Sequence, residues 1–496
     1  MSTITDYQRD VIDKGDDGSR ALAARTVRTL TNSPHVDIIK GVDTFPVLRV
    51  PQDYVVAVYN ATGDPRPSDP AAHAHSLVDH LALRGQHINA PLQVFANVVD
   101  SKTGDLTLIN AIGDGLAAGA DKYGVAVMNG ENAILGAACM IADANCSGTG
   151  IGFMKRADAA RLRKDMRVTW NDVTTHHTVG IDYALFDPQG KAVYMNSDGV
   201  GTKVLMYQLA GNPEKSVWDF AAMNADDASK KAARARVLAA NLETSGALPV
   251  QAMRAALGQC ARECGFTDIL HHEDIHGRIR GYWPEGPAYN LSGSLVSTID
   301  EDRLRNPLVP KAGDTLLAIR GRPTPRSNGI TAKREGAEIL GKKWCEKFGV
   351  KHWSDTPPGK ELLHYLTTPS TVFYPVFEAL INDGLVSMVT HMSGGAYNGK
   401  LAHVLAKNNL YCEMDRLFTP DAREVMLMNA LNKDIVTAHK QFPMGNEGFV
   451  ATNKPKMTIE RIAQYGLEAN NVGVLQANGD TGIWIKDTPV RFSGKD

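Results

Sequence analysis

The run Asn196-Ser-Asp-Gly-Val-Gly-Thr-Lys203 gathers the side chains that a nucleotide–metal complex needs. Asp198 can hold a divalent cation, and Lys203 can neutralise a phosphate as a point charge. Gly199 and Gly201 let backbone amides, that of Thr202 included, approach phosphate oxygens closely. The run follows a strand-like Ala192 to Met195, so it lies at a strand's carboxyl end; a plain hairpin turn is the alternative. Further along, Asn224-Ala-Asp-Asp227 puts Asp226 and Asp227 on a helix-like stretch. Magnesium–phosphate sites draw carboxylates from separate elements in this way. Gly321-Arg-Pro-Thr-Pro-Arg-Ser-Asn-Gly329 precedes a helical pattern, so its amides can bind an anion. His391-Met-Ser-Gly-Gly395 is a second glycine turn, after a strand-like Val386 to Thr390.

Other chemistries lack their residues. No G-x-x-x-x-G-K-[ST] run occurs, and Gly113-Asp-Gly115 has no third glycine at dinucleotide spacing. His272-Glu-Asp-Ile-His276 matches the zinc-protease pattern H-E-x-x-H, which works only on a helix. Here it follows a strand-like Thr267 to Leu270 and runs into Gly277, so loop histidines are expected, with a zinc hydrolase as the remote alternative. No Ser/His/Asp or Cys/His set calls for a protein nucleophile.

These motifs need a scaffold, and 496 residues suffice for about three domains. Lys plus Arg (53) nearly balance Asp plus Glu (55), which gives no global attraction to nucleic acid or to a membrane surface. No apolar run reaches membrane-spanning length, and the polar N-terminus has no secretory h-region. Six scattered cysteines without a C-x-x-C pair fit a reducing cytoplasm.

Strand-like and helix-like segments alternate along the chain, which predicts an α+β protein built of α/β-alternating repeats. Leu108-INAIGDGLAAGADKYGVAVMNGENA and Val250-QAMRAALGQCARECGFTDILHHEDI both read as helix, glycine, short strand and polar loop with a glutamate. That similarity predicts a divergent internal repeat. Expected segments are an arm over 1–35, a first repeat over 36–155 and a connector over 156–175. A second repeat over 176–303 and a C-terminal α+β domain over 304–496 complete the chain.

Taken in order, these motifs resemble the aminoimidazole ribonucleotide synthetase superfamily. Its metal-and-phosphate signature looks like Ser197-Asp-Gly-Val-Gly-Thr-Lys203, and its Asn-Asp pair looks like Asp226-Asp227. Its other two turns resemble Pro325-Arg-Ser-Asn-Gly329 and His391-Met-Ser-Gly-Gly395, and Asp6 to Asp13 is loosely similar to its N-terminal arm. The D-G-V-G-T-K string favours the cyclo-ligase branch over the kinase branch.

The family's glycine–glutamate motif is poorly kept at His271-His-Glu273, while a better copy, Asn129-Gly-Glu131, lies in the first repeat. The resemblance therefore implies two fused N-terminal-type domains that pair as a pseudo-dimeric β-barrel with flanking helices, followed by one C-terminal domain. It implies ATP and Mg2+ as cofactors and ring closure on a small nucleotide of purine synthesis, with a small-molecule phosphotransferase as the alternative. Asp198, Lys203 and Glu131 become the catalytic candidates. Gly199, Gly201, Thr202, Lys203 and Asn129 are the nucleotide candidates, and Asp198, Asp226, Asp227 and Glu131 the metal candidates. Ser327, Asn328, Gly329, His391, Gly394 and Gly395 are the substrate candidates. A homo-oligomer, or a monomer holding an internal pseudo-dimer, is expected. One site would join Glu131 to Asp198 and Lys203 across the repeats; Glu131 as a simple turn cap is the alternative.

Overall fold

The computed structural model describes residues 17–40, 44–64, 68–137, 139–162, 168–170, 173–178, 181–246, 248–275, 288–326 and 328–494. They form two compact units, Met1–Gln208 with Ala233–Asn306 and Leu209–Ala232 with Pro307–Asp496. The five expected segments describe kinship of sequence, and compactness groups them differently. Residues 1–16, with the similarity at Asp6 to Asp13, lie outside the described residues.

The first unit holds a seven-stranded and a six-stranded sheet. In the former, Leu92–Ser101 runs parallel to Ala126–Ile134 and antiparallel to Ala144–Lys155, which pairs antiparallel with Tyr54–Thr62. In the latter, Arg234–Ser245 runs parallel to Thr267–Asp274 and antiparallel to Ala288–Ile299, which pairs antiparallel with Ala192–Gly199. Over these four strands the two orders coincide.

The helices that make the parallel crossovers share their C-terminal stop as well. Leu106–Tyr123 starts on Asp105, whose carboxylate accepts from Thr107 N at 2.9 Å, and ends on Gly124 at φ +63°. Val250–Cys264 ends on Gly265 at φ +82°. Glycine is the residue that adopts this left-handed stop without a Cβ penalty.

Each strand alternates its apolar residues between two layers. Val56, Val58, Val94, Ala96, Ile151 and Phe153 pack in one cluster with Val193, Met195, Val237, Ala239 and Val296 of the other sheet. On the opposite face of the seven-stranded sheet, Tyr59, Phe95 and Val99 pack with Leu77, Leu81, Ile112 and Leu116 of helices Pro70–His87 and Leu106–Tyr123. The sheets thus stack face to face. The backbone ladders of their described strands run within each sheet. Among the described residues of the expected connector, Arg156–Leu162 is helical and Val168–Trp170 is a strand at the edge of the seven-stranded sheet.

Toward the strands' other ends the space between the sheets turns polar. Asn145 Nδ2 donates to Glu243 Oε2 at 2.6 Å, and Asn290 Nδ2 donates to Asp100 Oδ2 at 2.6 Å. Between these exchanges the Ser147 and Ser292 hydroxyls meet at 3.0 Å. Such mutual donation is the pattern of an isologous two-fold contact, here inside one chain. Its sequence signature is Asn145-Cys-Ser-Gly-Thr149 against Asn290-Leu-Ser-Gly-Ser294.

The second unit has a four-stranded antiparallel sheet ordered Met388–His391, Gly448–Thr452, Thr315–Arg320, Glu468–Val474, and a three-stranded sheet. Leu317 and Ile319 pack with Phe373, Phe377 and Leu380 on one face; Leu316 and Ala318 pack with Tyr397 and Phe449 on the other. Among the described residues no helix is long and apolar enough to cross a membrane.

Candidate active site

Strand Ala192–Gly199 carries Asn196, Ser197 and Asp198 to its carboxyl end, and helix Lys203–Leu209 begins directly after the turn. The run is therefore a strand-to-helix turn and not a hairpin. Gly201 has φ +63°, and a side chain there would be strained whatever the space. Asp198 Oδ1 accepts from Gly199 N at 2.7 Å, and Val200 N is tied to Leu291 O at 3.0 Å. Lys203 is fully buried, with Nζ 5.4 Å from the Tyr207 ring centroid.

Register shows what the first repeat has in the same place. Asp198 pairs with Gly293, and Ala61 pairs with the equivalent Gly148. Alanine therefore stands where the second repeat has its carboxylate. The reverse holds on the parallel strands. Glu131 pairs with Val98, two positions before Asp100; two positions before Glu243, the counterpart of Asp100, Asn241 pairs with His271. Glu131 is thus matched by His271, with Glu273 two residues further on.

Two contacts tell which halves face each other. Asn129 Nδ2 donates to Met195 O at 3.4 Å, which sets the Asn129-Gly-Glu131 strand against the strand of the phosphate-loop candidates. Arg84 donates to Asn60 O and to His271 Nδ1, the latter at 3.3 Å, and so joins the two halves that lack these motifs. Burial, with the Arg84 charge beside it, lowers the His271 pKa. His272 and Glu273 lie on the extended strand Thr267–Asp274 and point to opposite faces, so the helical zinc-protease geometry is not formed there. His276 lies outside the described residues.

In the second unit three of the expected motifs converge, although they are far apart in sequence. Helix Ser216–Ser229 presents Asp226 and Asp227. Asp226 Oδ2 accepts from Arg326 Nη2 at 3.0 Å and Oδ1 from Tyr374 N at 2.8 Å. Both oxygens of this buried carboxylate, expected as a metal ligand, are thus committed to protein donors. Asp227 Oδ1 accepts from His391 Nε2 at 2.6 Å and also bonds Lys230, while Oδ2 lies 3.8 Å from Lys400 Nζ.

Arg326, which the sequence does not single out, links these groups and is itself fully buried. Next to it, Asn328 is buried with its Nδ2 unbonded among the described residues, and Ser327 lies outside them. Gly329 has φ +63°, and a Cβ there would sit 2.6 Å from the Phe442 ring. Gly394 and Gly395 are exposed, with Gly395 at φ +79°. The turn before the long helix is pinned by Lys333, whose Nζ reaches Pro325 O at 3.2 Å and Glu424 Oε1 at 2.8 Å. Burial pushes Asp226 up to about 7 against the pull of Arg326. Burial acts on Asp227 too, but Lys230, Lys400 and His391 outweigh it and hold that carboxyl well below the usual range.

No family model matches this chain. It is similar to phosphoribosylformylglycinamidine cyclo-ligase of Synechococcus sp., 25% identical over 254 residues that cover 50% of this chain and 70% of that protein. The protein of the same name from Crocosphaera subtropica is 23% identical over 331 residues, 65% of this chain and 94% of that one. That of Xanthomonas oryzae pv. oryzae is 25% identical over 228 residues, 45% and 64% of the two chains, so just under two thirds of that relative is spanned.

Among solved structures, thiamine-monophosphate kinase from Stenotrophomonas maltophilia matches with a TM-score of 0.42 at 14% identity, covering 66% of this chain and 95% of that one. T. maritima PurL complexed with FGAR matches with a TM-score of 0.40 at 13% identity, covering 61% and 45%. Scores of this size say nothing about activity. The curated relatives carry the resemblance to the aminoimidazole ribonucleotide synthetase superfamily that the motifs imply.

Proposed function

We propose that this chain is an ATP-dependent cyclo-ligase that closes the imidazole ring of formylglycinamidine ribonucleotide, yielding aminoimidazole ribonucleotide, ADP and phosphate. The observation that carries the reading is the strand-to-helix turn from Asp198 to Lys203. It couples a carboxylate, two glycines and a buried lysine, and the names of the curated relatives support it. In the reaction ATP phosphorylates the formyl oxygen, an amidine nitrogen attacks the activated carbon, and phosphate leaves with that oxygen. Such chemistry asks the protein for positioning and charge neutralisation, not for a nucleophile.

The residues take roles accordingly. Backbone amides from Gly199 to Thr202, with Lys203, hold the phosphates, and Asn129 steadies the facing strand. Asn328, Gly329, Gly394 and Gly395 hold the acceptor. Among the described residues no group of three or more His, Cys, Asp or Glu side chains forms a metal cage. Magnesium fits nonetheless, because it is held by one or two carboxylates together with substrate phosphates. In the first unit Asp198 and Glu131 are the oxygen donors for it, and when bound it offsets phosphate charge. The proposed setting is cytoplasmic, with a small nucleotide as partner and the two repeats acting as an internal pseudo-dimer.

Product analysis with formylglycinamidine ribonucleotide, ATP and magnesium tests the reading. ADP, phosphate and aminoimidazole ribonucleotide in equal amounts support it. ADP with a phosphorylated, unclosed substrate means a phosphotransferase instead.

A further inference from the structure

Arg326 occupies φ +49°, a left-handed backbone that is strained for a non-glycine residue. Its neighbours hold it there: its backbone N donates to Thr324 Oγ1 at 3.2 Å. Every guanidinium nitrogen is spent inside the protein. Nε donates to Met392 O at 3.1 Å and Nη1 to Thr371 O at 3.0 Å, with Glu447 Oε2 3.6 Å from Nη1. Nη2 has two hydrogens and two acceptors, Asp226 Oδ2 at 3.0 Å and His391 Nδ1 at 2.9 Å.

A guanidinium only donates and keeps its proton in any protein. His391 Nδ1 must therefore offer its lone pair, and the ring's one proton sits on Nε2, where it is donated to Asp227 Oδ1 at 2.6 Å. From this geometry we infer that Arg326 is a positioning residue that fixes His391 as the Nε2–H tautomer, so that the whole imidazole is used to orient Asp227. His391 then makes no contact with substrate through its ring. On that turn the anion contacts fall to the exposed backbone amides of Gly394 and Gly395. His391, expected as a substrate ligand, becomes the middle member of an Arg326–His391–Asp227 chain.

The test is a nitrogen-15 spectrum of histidine-labelled full-length protein, which reads the tautomer directly. A single Nε2–H form of His391, unchanged when ATP or substrate is added, is expected. An Nδ1–H form, or a change of tautomer on substrate addition, overturns the inference. Arg326→Lys keeps a positive charge for Asp226 but lacks the planar fork that reaches Asp226, His391, Met392 and Thr371 at once. It should give a mixture of tautomers and lose turnover by about 10²-fold, with KM for the acceptor changed less than about threefold. An unaltered tautomer with unaltered turnover in this variant also overturns it. Should that variant not fold, the wild-type spectrum decides alone. The turnover arm rests on the cyclo-ligase reading and the spectrum does not. A correct tautomer in a protein without ring-closing activity would refute only the former.

Discussion

Asp226 and Asp227 are chain neighbours with opposite duties. Asp226 is buried, raised to about 7, and locked between Arg326 and the Tyr374 amide. Asp227 is kept ionised by its cationic surroundings and so remains available as an oxygen donor. That difference was not legible in the sequence, where both carboxylates look equivalent; it arises from Arg326, placed 100 residues away in sequence. A turn rich in proline and glycine gives no local sign that its arginine is buried. Asp198 was legible, because strand, carboxylate, glycines and lysine stand within one short run. Replacing Asp198 by Asn removes one charge facing the proposed cation while keeping shape. Turnover should fall about 10²-fold, as on losing one preorganised group of a transition state. Near-normal turnover at limiting magnesium would remove Asp198 from the site.

At the scale of elements, the helix–glycine–strand pattern was readable because Gly124 and Gly265 stop both crossover helices in the left-handed region. The extent of strand Thr267–Asp274 was not, since His271, His272 and Glu273 carry no β-propensity; pairing with Arg234–Ser245 overrides it. The repeated Asn-x-Ser-Gly strings at Asn145 and Asn290 were present in the sequence, but their meaning depends on a contact between sheets. Crosswise pairing has a functional consequence. The Asn129-Gly-Glu131 strand faces the strand of Asp198, so Glu131→Gln should abolish turnover, while Glu273→Gln keeps most of it. Steady-state kinetics of both variants at saturating ATP checks this. Activity lost with Glu273 and kept without Glu131 would mean that the catalytic half has been misassigned.

For the molecule as a whole, the seam between the repeats ties stability to pH. Burial, reinforced by Glu243, pushes the Asp100 carboxyl up to about 8, from an ordinary 3.8. Between those values the folded chain holds a proton that the unfolded chain has released. Stability from this group is therefore complete below about pH 4 and is lost as pH rises toward 8, at a slope of at most about 1.4 kcal/mol per pH unit. Asp100→Asn keeps the shape of the side chain without a titrating proton. Urea unfolding at pH 6 and pH 8 should show a smaller decline for the variant than for the parent; equal declines would mean that Asp100 is ionised in the fold. The seam joins two halves of which only one carries the proposed phosphate loop, so the proposal predicts one catalytic centre per chain. The claim about its chemistry is tested most directly by following the oxygen. With the formyl oxygen of formylglycinamidine ribonucleotide labelled as oxygen-18, ring closure through a phosphorylated intermediate predicts one label in each inorganic phosphate released. Phosphate free of the label, or label retained in a phosphorylated and unclosed product, would contradict the account.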